Sequence, residues 1–143
     1  MSMRADEIHA FLREAFPHGA PPEVESADGR TARCRIRYAE SQLRPGGTLS
    51  GPTMMSLADT AMYALVLSAV GFAPLAVTTN LSINFLRKPA PGDLIAEARL
   101  LKLGKALAVG DVSIFSDGAD DICAHAVVTY SIPPDARTAE AKR

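Results

Sequence analysis

The chain has 143 residues, the usual size of a single domain with one hydrophobic core. Hydrophobic residues make up 48% of it and charged residues 22%, which argues against an intrinsically disordered, collagen-like or disulfide-scaffold chain. Fifteen basic residues against sixteen acidic ones leave a net charge of -1, so we expect neither nucleic acid nor a membrane surface as a partner.

The cysteines and the first residues together predict a cytoplasmic protein. Cys34 and Cys123 are far apart and form no CxxC motif, so neither a zinc site nor a disulfide framework is indicated. Acidic residues near the start interrupt what would be the apolar core of a signal peptide. No run reaches the roughly 18 apolar residues that a membrane span needs.

The N-terminal part predicts one short helix and one strand. Pro17 and Gly19 end the helix, whose apolar stripe is formed by Ile8, Phe11, Leu12, Ala15 and Phe16. Residues 33–38 then alternate charged and apolar side chains with the period of a strand. We interpret the three arginines of this run as its solvent-exposed face.

The strongest helical signal runs from Pro52 to about Gly71. This stretch has no internal proline or glycine and is rich in Ala, Leu and Met. Proline suits the first helical position, Ser50 or Gly51 suits the cap, and glycine suits the exit. The helix would be roughly 30 Å long, with apolar residues around most of its circumference. We therefore predict that it is central to the fold.

Strand-like alternation begins at Leu75. One face is predicted to carry Leu75, Val77, Thr79, Leu81, Ile83 and Phe85, and the other Thr78, Asn80, Ser82 and Asn84. Three more strand-like runs cover residues 94–103, 106–115 and 122–132, and the short turns between them predict an antiparallel meander. The sequence thus predicts one α+β domain over 1–143, with a frayed end at 135–143.

Asp59 is the unusual residue of the long helix. It shares one side of the helix with Thr53, Ser56, Thr60 and Tyr63, whereas the remaining surface is apolar nearly all round. A carboxylate two turns inside a helix gains little from the helix dipole, so another interaction has to hold it there. Two hypotheses remain open: a catalytic base, or a satisfied polar residue that fixes the register of a subunit interface.

The start of the long helix is the second candidate feature. The segment from Gly46 to Pro52 is rich in glycine, and unpaired backbone N–H groups near Gly51 would point outward where negative charge is favoured. Such groups can stabilise an oxyanion. The alternative interpretation is an ordinary glycine-rich loop that only leads into the helix.

These features, with Leu57-Ala58-Asp59-Thr60-Ala61 and the segment from Thr79 to Asp93, resemble the hotdog-fold acyl-CoA thioesterases of the phenylacetate-degradation (PaaI) type. The resemblance runs from about Arg33 to Ile132. It implies a hotdog fold, in which an antiparallel sheet wraps around one long central helix. It also implies a homodimer formed through extended sheets, often a dimer of dimers, with active sites at the dimer interface. No cofactor is implied, since coenzyme A is part of the substrate.

The resemblance also implies roles for individual residues. The family's carboxylate, which acts as general base or nucleophile, corresponds to Asp59. The glycine whose N–H polarises the thioester carbonyl corresponds to Gly51. The hydroxyl residue that positions water corresponds to Thr78. For substrate binding, we expect Arg87, Lys88 and Lys105 to contact coenzyme A and Tyr63 to line the acyl pocket. Exposed surface charges and plain core packing are the competing interpretations.

The helix start differs from the family pattern. Family members commonly carry His-Gly-Gly there, and this chain has Ser50-Gly51-Pro52, in which Ser50 is expected to replace part of the lost hydrogen bonding. An alternative function is therefore a non-catalytic hotdog protein that binds acyl-CoA or a related ligand. A hydratase of the same fold is a weaker alternative, because such members usually present a histidine near the helix.

Overall fold

The computed structural model describes residues 2–17, 21–37, 43–44, 48–49 and 51–134. These residues form two helices and eight strands. In chain order they are α1 Ala5–Ala15, β1 Glu23–Ala27, β2 Thr31–Ile36, β3 Leu43–Arg44, β4 Thr48–Leu49, α2 Gly51–Val70, β5 Val77–Phe85, β6 Leu94–Leu103, β7 Leu107–Ser116 and β8 Ala124–Ser131. Both predicted helices are present close to their expected bounds.

Six strands form one antiparallel sheet in the order β1-β2-β6-β7-β8-β5, and β3 pairs only with β4. Strands β6, β7 and β8 form the predicted meander, whereas β5 crosses to the far edge and pairs with β8. The sheet packs around α2, which confirms the predicted hotdog fold. Strand β1 was not predicted, because its five residues, EVESA, contain a single large apolar side chain.

Small residues on the inner face of the sheet let α2 lie close to it. The alanines at 96, 98, 108, 124 and 126 are all buried against the helix. At Gly110 a β-carbon would lie 2.7 Å from Met62 Sδ and 2.8 Å from the Arg99 carbonyl oxygen, so only glycine fits. Close packing of this kind fixes the position of α2 against the sheet.

Helix α2 is long and apolar enough to cross a membrane, and its most apolar window is 56% buried within the protein. The central helix of a folded domain has the same composition. Its buried residues include Leu57, Ala61 and Leu65, each with no exposed surface. Burial by the sheet accounts for the apolar character of α2, and Ser68 is the one polar residue of this helix that is buried.

Two of the three arginines that the alternation placed on a solvent-exposed face, Arg33 and Arg35, are held in ion pairs and largely covered, whereas Arg37 is exposed. Arg33 bonds Glu25 and Glu97, and the Arg35 guanidinium, only 13% exposed, bonds Glu25, Asp93 and Asp117. These contacts join β1, β2 and β6 to the turn after β7. The correction follows from strand order: the acidic partners lie on elements that sequence alone did not place beside β2.

We expect Arg35→Gln to lower the free energy of unfolding by about 2 kcal/mol at neutral pH, because three carboxylates lose a shared cation. The hydrogen bond from Arg35 holds the pKa of Glu25 below its usual value. That stabilisation is complete above the unfolded pKa, about 4.3, and is lost as the pH falls through the lower folded pKa. Urea unfolding at pH 7 and pH 3.5 should therefore give a smaller difference at pH 3.5. Equal differences at both pH values would contradict this, and the exposed Arg37→Gln serves as the control.

Candidate active site

A β-bulge in β5 turns Thr78 towards the long helix. Thr78 pairs with Tyr130 and Asn80 with Thr129, so Thr79 is an extra residue between them. The sequence pattern had assigned Thr78 to the same face as Asn80. That prediction was wrong, because strict alternation fails at the bulge. Thr78 instead shares the inner face with Leu81 and Ile83, which pack against the core.

Two hydroxyl groups hold the carboxylate of Asp59. Thr78 Oγ1 lies 2.5 Å from Asp59 Oδ1 and donates to it. The Tyr130 hydroxyl lies 2.9 Å from the same oxygen and 3.1 Å from the Asp59 carbonyl oxygen, so its proton can serve either acceptor. None of the described residues donates a hydrogen bond to the other carboxylate oxygen, Asp59 Oδ2. One carboxylate oxygen is therefore fixed by the protein, while the other is available to water or substrate.

Tyr130 is the site residue that sequence reasoning missed. Its side chain is 3% exposed, and its ring stacks on Tyr63 with a centroid distance of 5.7 Å. Burial raises the pKa of the Tyr130 hydroxyl, which therefore stays a neutral donor. The one sequence feature that could have pointed to Tyr130 is its place among the small inward-facing residues of β8. Sequence did not show that β8 neighbours β5 and faces Asp59.

We expect Tyr130→Phe to lower kcat for thioester hydrolysis about tenfold and to leave KM within about twofold, because Asp59 loses one charge-assisted donor. The matched control is Tyr63→Phe, whose hydroxyl bonds the Pro74 carbonyl oxygen at 3.3 Å and does not reach Asp59. Tyr63→Phe should therefore retain a much larger fraction of the wild-type kcat than Tyr130→Phe. Steady-state thiol release would measure both parameters. Equal losses in kcat for the two variants would show that Tyr130 acts only through packing.

Asp59 and Thr78 open into a cavity of about 510 Å³ between α1, α2 and the start of β5. Most of its wall is apolar or aromatic. The described residues that line it are Leu12, Phe16, Pro21, Pro22, Ser56, Asp59, Thr60, Tyr63, Pro74, Ala76, Val77, Thr78 and Tyr130. We call it the acid cavity. The size and lining are typical of a small-molecule site, in which a few polar groups orient a mainly apolar ligand.

The predicted oxyanion donor and two predicted cations meet in a second cavity. This basic cavity, about 380 Å³, is lined by Gly51, Met54, Phe85, Leu86, Arg87, Lys88 and Pro89. Gly51 is close to the ring of Phe85, which a β-carbon would approach to 3.3 Å. Arg87 also bonds Asp121 at 3.1 Å, with both side chains exposed. Helix N-terminus and cations thus occur together, as anion binding requires.

Six of the eight predicted site residues therefore divide between two cavities. Asp59, Thr78 and Tyr63 line the acid cavity, and Gly51, Arg87 and Lys88 line the basic cavity. Gly51 and Asp59 are eight residues apart, about 12 Å along the helix axis. Lys105, in the turn between β6 and β7, lines neither cavity. Ser50 lies outside the described residues.

Comparison with known proteins identifies the family. The model of the thioesterase superfamily matches residues 46–129, more than half of the chain. The chain belongs to the thioesterase superfamily. A "putative esterase" of Saccharolobus solfataricus is 32% identical over 77% of this chain and 72% of its own length. The family indicates a hydrolase, with thioester hydrolysis as its general activity.

Two related structures share the fold. A "putative thioesterase" from Silicibacter sp. TM1040 is 47% identical, with a TM-score of 0.83, over 91% of this chain and 92% of that chain. Zebrafish thioesterase superfamily member 2 is 24% identical, with a TM-score of 0.79, over 92% of this chain and 100% of that chain. The first likeness supports membership of the superfamily, and the second shows the fold alone. The matched residues 46–129 include all predicted catalytic positions, whereas Tyr130 lies one residue beyond them.

Proposed function

We propose that this member of the superfamily hydrolyses acyl-CoA thioesters in the cytoplasm, with Asp59, Gly51 and Thr78 as its catalytic groups. The observation that carries the proposal is the Asp59 carboxylate, fixed through one oxygen by two hydroxyls and open to an apolar cavity. A carboxylate held in this way has one oxygen free for chemistry. Its place on a helix packed tightly against the sheet gives it a constant position.

In the proposed reaction, Asp59 removes a proton from a water molecule as the water oxygen attacks the thioester carbonyl carbon. The carbonyl oxygen becomes an oxyanion, which the Gly51 N–H stabilises. The C–S bond then breaks, coenzyme A leaves as a thiolate, and the proton held by Asp59 passes to the products. Thr78 orients the carboxylate. Direct attack by Asp59 on the carbonyl carbon, followed by hydrolysis of the resulting anhydride, uses the same groups.

The distribution of groups over two cavities favours a site shared by two copies. Within one protomer Gly51 lines the basic cavity and Asp59 the acid cavity, which supports a site in which one thioester takes these two groups from different copies. Strand β5 forms one edge of the six-stranded sheet and has exposed residues along most of its length. Pairing of two β5 edges would extend the sheet and cover these residues. We infer a homodimer, and a dimer of dimers as its further assembly.

Coenzyme A is proposed as the leaving group because of the cations in the basic cavity. Arg87 and Lys88 stand beside the N-terminus of α2, where the phosphates of coenzyme A would find positive charge. The exposed pair between Arg87 and Asp121 is weak enough to be exchanged for a phosphate. Lys105 is proposed to contact the pantetheine arm or phosphates from the β6–β7 turn. The bound acyl-CoA needs no other cofactor.

A non-catalytic acyl-CoA-binding protein is the second candidate. It is favoured by Pro52, which directly follows Gly51 and removes one N–H from the first turn of α2. Loss of one oxyanion donor typically lowers the rate about 100- to 1,000-fold. A site weakened in this way would still bind its ligand.

A panel of acyl-CoA substrates separates the two candidates. Thiol release measures turnover, and isothermal titration with the same compounds measures binding. Turnover that saturates with substrate and exceeds spontaneous hydrolysis supports the thioesterase. Binding without turnover supports the ligand-binding protein, and neither binding nor turnover would contradict both.

A further inference from the structure

Four aromatic rings connect the N-terminal helix with the candidate carboxylate. Phe11, on α1, packs edge-on against Phe72 with 5.2 Å between ring centroids and against Tyr63 at 6.4 Å. Tyr63, on α2, stacks on Tyr130 at 5.7 Å, with 12° between the ring planes. The Tyr130 hydroxyl lies 2.9 Å from Asp59 Oδ1. We call these four rings the aromatic row, and it ends at the carboxylate that carries the proposed chemistry.

Tyr63 lies in the middle of the aromatic row and is packed from both sides. Phe11 meets it at an interplanar angle of 61°, and Tyr130 lies nearly parallel to it. Edge-on and stacked contacts are the two arrangements that aromatic pairs prefer. The Tyr63 hydroxyl makes one long hydrogen bond, 3.3 Å to the Pro74 carbonyl oxygen. Because a bond of this length is weak, the neighbouring rings determine the tilt of the Tyr63 ring.

The position of the Tyr130 hydroxyl depends in turn on Tyr63. The backbone of Tyr130 is paired on both sides, with β5 and with β7. Its ring extends from this fixed point, and Tyr63 packs on one of its faces. Hydrogen bonds weaken steeply as their geometry departs from the preferred distance and angle. A tilt of the Tyr130 ring therefore weakens the hydrogen bond that its hydroxyl donates to Asp59.

Helix α1, which carries Phe11, is itself fixed in place. Ile8 and Leu12 of this helix are buried to within 1% exposure. The Met3 N–H, just before it, donates to the Leu67 carbonyl oxygen of α2 at 3.3 Å. Phe11 is not among the described residues that line the acid cavity. Its ring therefore packs against another ring of the site without forming part of the cavity wall.

We propose, on the basis of the proposed thioesterase function, that Phe11 is a positioning residue for the reaction. In this proposal Phe11 holds the ring of Tyr63, and Tyr63 holds the Tyr130 hydroxyl on Asp59. The effect travels through side chains in direct contact, so it is a coupling that can be measured. Because it reaches Asp59 through one hydroxyl, loss of the ring at position 11 cannot cost more than loss of that hydroxyl.

A double-mutant cycle tests this route. We expect Phe11→Leu to lower kcat for acyl-CoA hydrolysis about three- to fivefold, with KM within about twofold of the wild-type value. In a Tyr130→Phe background the hydroxyl is already absent, so Phe11→Leu should lower kcat less than about 1.5-fold. Phe11→Tyr keeps the ring and should keep kcat within about twofold of wild type. Equal losses from Phe11→Leu in both backgrounds would overturn the proposal.

Two further variants separate the aromatic row from general loosening of α1. Ile8→Val removes one buried methyl group from the same helix, leaves all four rings in place and should keep kcat within about twofold of wild type. A loss from Ile8→Val as large as that from Phe11→Leu would count against the row. Should Phe11→Leu not fold, Tyr63→Leu interrupts the same row, and its loss in kcat should shrink in the Tyr130→Phe background in the same way.

Near-UV circular dichroism measures the order of the aromatic row without any substrate. The chain has three tyrosines and no tryptophan, so in a Tyr38→Phe background the tyrosine signal comes from Tyr63 and Tyr130. We expect Phe11→Leu to lose at least about a quarter of this signal and Ile8→Val to keep it. An unchanged signal in Phe11→Leu would overturn the proposal. If the wild-type protein hydrolyses no acyl-CoA, the proposed function fails, whereas this measurement still decides whether Phe11 orders the two tyrosines.

Discussion

Asp59→Asn is expected to lower kcat/KM for acyl-CoA hydrolysis about 100- to 10,000-fold, the range for loss of a general base. The substitution keeps the size of the side chain. Its amide oxygen can still accept the protons of the Thr78 and Tyr130 hydroxyls, which both donate to Asp59 Oδ1. What it removes is the second oxygen as a proton acceptor or nucleophile. Steady-state thiol release with wild type and variant side by side measures the loss.

Thermal unfolding of the same two proteins is the control for this prediction. Because both donated hydrogen bonds survive, the midpoint temperatures should agree within a few degrees. Tight substrate binding by Asp59→Asn without turnover would strengthen the assignment. Equal turnover by wild type and Asp59→Asn would remove Asp59 from catalysis, whatever the fold.

The fold was largely predictable because its strongest signals are local. Helix α2 lacks internal proline and glycine, and the runs that became β6, β7 and β8 are separated by short turns. Both kinds of signal depend on residues close together in the chain. Strand β1 gave no such signal, and the pairing of β5 with β8 depends on a crossover that no local pattern specifies.

The candidate site was predictable only in part, for the same physical reason. Asp59 stood out as a carboxylate on an apolar helix, and the structure brings it into contact with Thr78, which the resemblance had indicated. The alternation pattern alone had placed Thr78 on the opposite face, because a bulge changes the register by one residue and leaves no reliable mark in the sequence. The contact between Tyr130 and Asp59 likewise could not be predicted, because it depends on the long-range pairing of β5 with β8.

The variants Gly51→Pro and Asp59→Asn are each expected to be nearly inactive. A mixed dimer, with one Gly51→Pro subunit and one Asp59→Asn subunit, is expected to regain activity. The proline removes the Gly51 N–H at the start of α2, where proline is tolerated, and we expect a loss of about 100- to 1,000-fold. If each site takes Gly51 from one copy and Asp59 from the other, the mixed dimer contains one intact site and one doubly damaged site. It should then have about half of the wild-type kcat per dimer.

Co-expression with two different affinity tags, followed by purification on both, would isolate the mixed dimer for thiol-release measurements. Gly51→Ala is the matched control, because it keeps the N–H and adds only a β-carbon near the Phe85 ring. That variant should remain much more active than Gly51→Pro. A mixed dimer as inactive as its parents would contradict the shared site, since damage within each protomer's own site cannot be repaired by a partner. Recovery can arise only if the oxyanion donor and the carboxylate at one thioester come from different copies, which is what the proposed shared site predicts.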